Sequence, residues 1–354
     1  MNISIFASIG CQNLGDELIL KNEIELLRQE FGTGTSVPVP MSFQVASYDS
    51  QHPAFKIADT EYFEYFPIES KNPKNISRNI KNFFKFLGVV IWSDIVVIGG
   101  GGIIYDSEVQ SVGNPLRQWL FRVRVARFFR KKIYFYALGI DIKQEENLKI
   151  LKNIFKKSYK ITVRDIKSYE QLKQVGIQSE LLDDPVMSEN NERGEILKTL
   201  SSRNFSLGDF EGIDFQSKEV GLALRSGYIG KSLSSKIERL LISELCLYIE
   251  KKGGNVVFLP HSFHTSDIQA NDYVFLSEFV REGREIKSSL REVYEWYNAN
   301  QSPDSQESGL NDSKILISMR LHSIILASIY NIPQIVLSYS QKTDEVIKKL
   351  NTHN

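Results

Sequence analysis

The segment Ile315–Ser338 reads ILISMRLHSIILASIYNIPQIVLS. With Lys314 before it, the first run to Ser318 is a buried strand, Leu321–Tyr330 is an apolar helix, and Pro333–Ser338 is another strand. A strand, a crossover helix and a further strand make a βαβ unit, from which parallel sheets covered on their faces are built. Arg320 and His322 sit where the first strand passes into the helix. Burying an unpaired cation there costs several kcal/mol, which an anionic ligand would offset. In the alternative, Arg320 pairs with an internal carboxylate and His322 is a satisfied core histidine.

The same alternation extends along the chain. Asn2–Ser8 reads as a strand, Gly10–Gly15 as a turn, and Asp16–Phe31 as an amphipathic helix with acids at its positive end. Asp94–Ile98 is a strand ending in Gly99–Gly102, Lys132–Leu138 one ending in Gly139, and Lys160–Val163 one ending in Arg164 and Asp165. Phe86–Tyr105 is long and apolar, but the four consecutive glycines near its end suit a buried strand with a glycine turn better than a membrane span. The alternation restarts with Glu219–Leu224, the helix Ser235–Lys252, and Asn255–Leu259 running into Pro260 and His261. Apolar density falls between Ser188 and Lys218. The expected fold is therefore α/β, with two doubly wound Rossmann-like domains facing a cleft: residues 1–190, a linker over 191–218, and residues 219–354.

At 354 residues the chain suits about two domains. Lys plus Arg equals Asp plus Glu at 43 each, so no summed field draws it to nucleic acid, and no nucleic-acid partner is expected. Cys11 and Cys246 lie far apart without ligand spacing, which argues against a disulfide scaffold or zinc site and for a reducing cytoplasm. Met1–Gly10 lacks the pattern of a signal peptide. The glycine run fails the dinucleotide pattern, since Ile104 or Tyr105 stands where the third glycine belongs, and no G-K-[ST] follows it. No serine or cysteine nucleophile motif occurs, and Asp183-Asp184-Pro185 reads as a turn and cap. We expect neither a redox cofactor nor a metal. Arg117–Lys132 is rich in basic residues that scatter round a helical wheel, as on a packed helix with snorkelling side chains. Lys71, Lys74, Arg78, Lys81 and Lys85, interleaved with Phe83, Phe84 and Phe86, leave room for a peripheral membrane contact.

Ligands of open α/β sheets gather at the carboxyl ends of strands. Here those ends carry Asn13-Leu14-Gly15-Asp16, Gly99–Gly102, Arg164-Asp165, Arg225, His261 with His264, and Arg320-Leu321-His322. Asp16 reads either as a first-turn acid or as a functional group. The glycine run is equally a ligand loop, through Gly100 and Gly101, or a tight packing turn.

Taken together, GCQNLGDELIL, DIVVIGGGGIIYD, YALGI, ITVRDIKSYEQL, DDPV, GLALR, LPHSFHTSD and ISMRLHSIILASIYNIPQIVLSYSQK resemble the polysaccharide pyruvyl transferase family, in its order and over nearly the whole chain. The resemblance implies a fold like that of B-type glycosyltransferases, here with a shortened C-terminus, since twelve residues follow Lys342. It implies transfer of a pyruvyl group from phosphoenolpyruvate to a sugar of a cell-surface or extracellular polysaccharide, forming a ketal. The second domain then takes the donor and the first the acceptor, a sugar or lipid-linked saccharide. Arg320 and Arg225, with Arg164 and Lys342, suit the donor's carboxylate and phosphate. His322 is implied as general acid and Asp16 as base or hydroxyl ligand. Leu321, His261, Asn13, Gly100 and Gly101 complete the expected substrate contacts. A B-type glycosyltransferase using a sugar nucleotide is the alternative reading, and an inactive diverged member is another.

Overall fold

The computed structural model describes residues 1–32, 39–51, 53–66, 75–106, 115–189, 195–230, 235–264, 270–281, 283–299 and 313–351. In chain order the first elements are β1 (Asn2–Phe6), α1 (Leu14–Gly32), β2 (Ser42–Ser47), β3 (Thr60–Glu64), α2 (Asn75–Trp92), β4 (Ile95–Tyr105), α3 (Pro115–Phe128), β5 (Lys132–Asp141), α4 (Leu148–Phe155), β6 (Lys160–Val163), α5 (Ile166–Gln174) and β7 (Glu180–Leu181). Their strands form one sheet in the order β3-β2-β1-β4-β5-β6-β7, every pairing parallel.

Period-two alternation divides this sheet between two cores. Ile3 and Ile5, Ile95 and Val97, and Tyr134 and Tyr136 face α1, where Leu20, Ile24 and Leu27 cover them. Phe6, Val96, Ile98, Ile133 and Phe135 face the other way, against Phe86, Val89 and Val90 of α2, Trp119 and Val123 of α3, and Leu151 and Ile154 of α4. Helices on both faces of a parallel sheet make a doubly wound domain.

The second set comprises β8 (Ile196–Ser201), β9 (Glu219–Ala223), α6 (Ser235–Lys251), β10 (Asn255–Phe258), α7 (Asp272–Ser277), β11 (Glu285–Ile286), α8 (Leu290–Asn298), β12 (Lys314–Ser318), α9 (Leu321–Ile329), β13 (Gln334–Ser338) and α10 (Gln341–Asn351). Its parallel sheet runs β11-β10-β9-β12-β13-β8. Val220 and Leu222, Val256 and Phe258, Ile315 and Ile317, and Ile335 and Leu337 pack on Ile242, Leu245, Cys246 and Ile249 of α6. The chain thus folds as two Rossmann-like units, one of Met1–Cys11 and Asp16–Ser188, the other of Gln12–Gly15 and Glu189–Asn354.

Three readings of the sequence change. The stretch 191–218, expected as linker, contains β8, which pairs with β13 at the edge of the second sheet. Its alternating exposure is that of an edge strand, and its polar half lowers the apolar density. Phe86–Trp92, expected as part of a buried strand, ends α2, with Phe86, Val89 and Val90 on its inner face. The glycine run does not end its strand: β4 continues to Tyr105 through a register shift between Gly101 and Ile104. Gly100 and Gly101 have φ of +65° and +87°, which glycine adopts without strain, so the irregularity is absorbed and pairing resumes. Lys71 and Lys74 lie outside the described residues, as do residues 300–312. No helix among the described residues is long and apolar enough to cross a membrane.

Candidate active site

In the second sheet the strand order reverses between β9 and β12, which pair directly at Leu222 with Ile317 and Ala223 with Ser318. Residues that follow these strands emerge side by side at the switch point, where ligands of such sheets bind. They are Leu224-Arg225 after β9 and Met319-Arg320 after β12, and β10 on the other side of β9 delivers His261. The backbone N–H of Arg225 lies 3.1 Å from the Met319 sulfur, and that of Met319 donates to the Ala223 carbonyl at 3.1 Å. So the topology gathers Arg225, His261, Arg320 and His322 from separate parts of the sequence.

Arg320 is half-buried at the N-cap position of α9, where it makes no side-chain cap bond. Its guanidinium donates to Asp272 at the start of α7, while its Nε is buried with no hydrogen-bond partner. The internal carboxylate weighed for Arg320 thus exists, and it is Asp272. Asp272 Oδ2 also accepts the His261 N–H at 3.2 Å. Burial pushes the Asp272 carboxyl upward, and the positive charges of Arg320 and Arg225 pull it back. Arg225 lies over the Tyr228 ring at 5.1 Å, a cation–π contact that orients its fork.

His261 is 3% exposed. Burial, reinforced by the positive charges of Arg320 and His322, lowers its pKa well below the ordinary value, so it is neutral and cannot serve as a cation. Its Nε2 and the Tyr297 hydroxyl are 2.9 Å apart, and that hydroxyl and Ser323 Oγ are 2.7 Å apart. This buried chain anchors α9 one residue after His322. Sequence reasoning missed Asp272, Tyr297 and Ser323; only Ser323, directly after the R-L-H triplet, carried a local signal.

The tetrapeptide Gln12–Gly15 packs with this second sheet. Asn13 pairs antiparallel with Ser262, the Leu14 N–H donates to the His261 carbonyl at 3.0 Å, and the Phe263 N–H donates to the Gln12 carbonyl at 2.9 Å. The Asn13 side chain closes the turn by accepting the Gly15 N–H at 3.1 Å. Gly15 lies against the His322 ring so closely that a Cβ there would be 2.0 Å from Nδ1. Gly15→Ala must therefore displace the imidazole, and forcing extra volume into a packed site costs about 1–3 kcal/mol. Denaturant titration beside Gly88→Ala, whose Cβ meets nothing within 4 Å, checks this: the first variant loses about 1–3 kcal/mol of stability and the second loses none. Leu321 opens α9 half-buried, and Lys342 is exposed in the first turn of α10, beyond β13.

In the first unit the switch point falls between β1 and β4. Asp16 and Glu17 occupy the first turn of α1. A Cβ on Gly101 would lie 3.2 Å from Asp16 Oδ1, so the acid sits against the glycine bulge. Glu17 accepts the Gly10 N–H at 2.9 Å, and burial raises its pKa to about 7. Burial, with the neighbouring Asp16 charge, raises the Cys11 thiol to about 11, which leaves it a poor nucleophile. Under Gly99 and Gly100 lies Glu23, fully buried, with no hydrogen-bond partner at either carboxylate oxygen. The glycines here do duty in packing: a Cβ at Gly99 would be 2.1 Å from Glu23 Oε1, and one at Gly100 would be 2.4 Å from the Ile19 side chain.

Arg164, expected among the substrate contacts, follows β6, two strands from β4. It is 11% exposed and pairs at 2.6 Å with Asp184, itself 7% exposed, so its charge is matched inside the unit. Asp184 also caps the turn at Val186, as the reading of Asp183-Asp184-Pro185 anticipated. Among the described residues no group of three or more His, Cys, Asp or Glu is placed to hold a metal ion.

The family model for polysaccharide pyruvyl transferase matches residues 13–341. No curated protein is significantly similar in sequence. In three dimensions the chain is similar to UDP-GlcNAc 2-epimerase from Methanocaldococcus jannaschii, with 12% identity and a TM-score of 0.50 over 98% of this chain and 87% of that one. An alpha-glucosyltransferase in complex with UDP and a 13-mer DNA containing an HMU base is similar with 10% identity and a TM-score of 0.46, over 99% of this chain and 90% of that one. The epimerase likeness supports the two-unit Rossmann-like fold and says nothing of activity.

Proposed function

Since the chain belongs to the polysaccharide pyruvyl transferase family and is a transferase, we propose that its donor is phosphoenolpyruvate and that the switch point of the second sheet binds it. The observation that carries this reading is the convergence of Arg225, Arg320 and His322 at the ends of two adjacent strands. Two guanidinium forks and the uncapped first turn of α9 suit a small ligand bearing both a carboxylate and a phosphate. Lys342, exposed beyond the neighbouring β13, is a further cation at the same end of the sheet.

The chemistry follows from the donor. His322 delivers a proton to the methylene carbon of phosphoenolpyruvate, turning it into a methyl group and leaving an oxocarbenium-like centre at the adjacent carbon. One sugar hydroxyl adds there, losing its proton to a general base. Phosphate then departs with the electron pair of its bridging C–O bond and takes up the proton held by the base, and a second hydroxyl closes the ketal as its proton returns to the His322 imidazole. Every proton is accounted for by an acid and a base, and no electron changes hands with a cofactor. The sugar acceptor belongs to a polysaccharide or its lipid-linked precursor.

Calorimetric titration tests the donor assignment without knowledge of the acceptor. Wild type binds phosphoenolpyruvate, and Arg320→Ala weakens binding by at least about 10²-fold, the scale of one charge-assisted pair and its buried environment. Binding of a sugar nucleotide instead of phosphoenolpyruvate would establish the glycosyltransferase reading, and binding of neither would mark a chain without this chemistry.

A further inference from the structure

α2 and α3 together contain no aspartate or glutamate, although the whole chain balances 43 cations with 43 acids. Both cover the same face of the first sheet, and their outward surfaces are unusual for helices packed on a core. On α2, Ile76, Ile80, Phe84 and Ile91 are 61%, 55%, 66% and 52% exposed. At 100° per residue they fall within one 80° sector, with Lys81 and Lys85 to one side of it. On α3, Arg117, Phe121, Arg124 and Phe128 are all exposed and recur on a single line, with Phe128 at 81%.

The two surfaces are joined. The Phe84 ring is 5.7 Å from Phe83, Phe83 is 5.3 Å from Phe66, and Phe66 is 6.1 Å from Phe121. The structure also sorts the basic residues of these helices. Arg122 is spent on the Phe66 carbonyl and on the Tyr65 and Trp119 rings, Arg127 on the carbonyls of Asn153, Ile154 and Lys156, and Arg78 on Glu64. Lys81, Lys85, Arg117 and Arg124 point out beside exposed aromatic and aliphatic side chains. The basic scatter of the Arg117–Lys132 wheel is therefore an inner set that staples the helix and an outer set aligned with Phe121 and Phe128.

We propose that the joined outer faces of α2 and α3 dock this protein on an anionic lipid surface. Exposed apolar side chains rimmed by cations, with no acid among them, are what such a surface selects: the apolar groups enter the headgroup boundary and the cations meet phosphate. The charge and the apolar groups are spread along two helices with no acid between them, which matches a broad headgroup layer. The inference rests on this surface and is independent of the donor assignment.

Flotation of the full chain with phosphatidylcholine vesicles, with and without phosphatidylglycerol, is the test, with no phosphoenolpyruvate present. The chain binds the anionic vesicles, does not bind the neutral ones, and is released as salt rises and the screening length shrinks from about 10 Å to about 3 Å. Lys81→Ala with Arg124→Ala weakens binding about 25-fold, or about fivefold per cation. Phe84→Ser with Phe128→Ser also abolishes flotation, and because all four side chains are exposed, both variants keep the wild-type melting temperature. No flotation on anionic vesicles, or flotation that neither variant alters, would overturn the proposal. So would sedimentation showing a wild-type dimer that Phe84→Ser with Phe128→Ser dissociates, since a second copy would then be the occupant.

Discussion

Replacing His322 with glutamine lowers kcat by about 10²–10⁴, the ordinary worth of a positioned general acid, while phosphoenolpyruvate binds within a few-fold of its wild-type affinity. The separation of the two effects follows from the roles proposed above. Arg225 and Arg320 hold charge on strand ends and are positioned by Tyr228 and Asp272, neither of which depends on the imidazole. His322 stands on α9, whose first turn is fixed by the buried Ser323–Tyr297–His261 chain. Glutamine fills much of the same space but has no proton to deliver to carbon. Phosphate release from phosphoenolpyruvate with a panel of galactosides, glucosides and mannosides gives kcat, and calorimetry gives the affinity. Loss of binding equal to the loss of turnover would move His322 from proton donor to ligand contact.

Raising the pH from 5 to 9 destabilises the wild type relative to Glu23→Gln by on the order of 4 kcal/mol. Glu23 is fully buried, its oxygens lack partners, and burial alone raises its pKa from 4.5 to about 8. Between those two values the folded chain holds a proton that the unfolded chain has released. The contribution of the neutral acid is therefore whole below the unfolded value and is lost progressively as pH climbs toward the folded one. Glutamine cannot ionise, so its unfolding free energy lacks that slope. Glu17, raised to about 7, adds a slope of the same sign to both proteins and cancels in the difference. Denaturant titrations of the two proteins across this range decide it, and parallel curves would show that Glu23 is charged or hydrated in the fold.

What could be read from the sequence was whatever declares itself locally. β9, β10, β12 and β13 are runs of apolar residues bounded by turn residues, and each lies within a residue or two of its expected place. β8, ILKTLS, escaped because it sits at a sheet edge, where half its side chains meet solvent. β2 and β3, SFQVAS and TEYFE, are short and mixed in the same way. The site was legible as a set of strand ends, since topology alone brings Arg225, His261 and Arg320 together. The partners of those residues were not. Nothing in the order of the letters sets Asp272 against Arg320, Asp184 against Arg164, or Glu23 beneath Gly99, because each pair meets only when separate βα units stack.

The tetrapeptide Gln12–Gly15 gives the order of synthesis a structural meaning. Chains fold as they emerge, with the N-terminal unit first. Residues 1–11 and 16–188 can settle while the tetrapeptide between them still lacks the strand end at Ser262 and the ring of His322 on which it rests. The turn is thus completed only by residues synthesised long after it. A chain that stops short of α9 carries a finished first sheet and a turn with nothing to rest on.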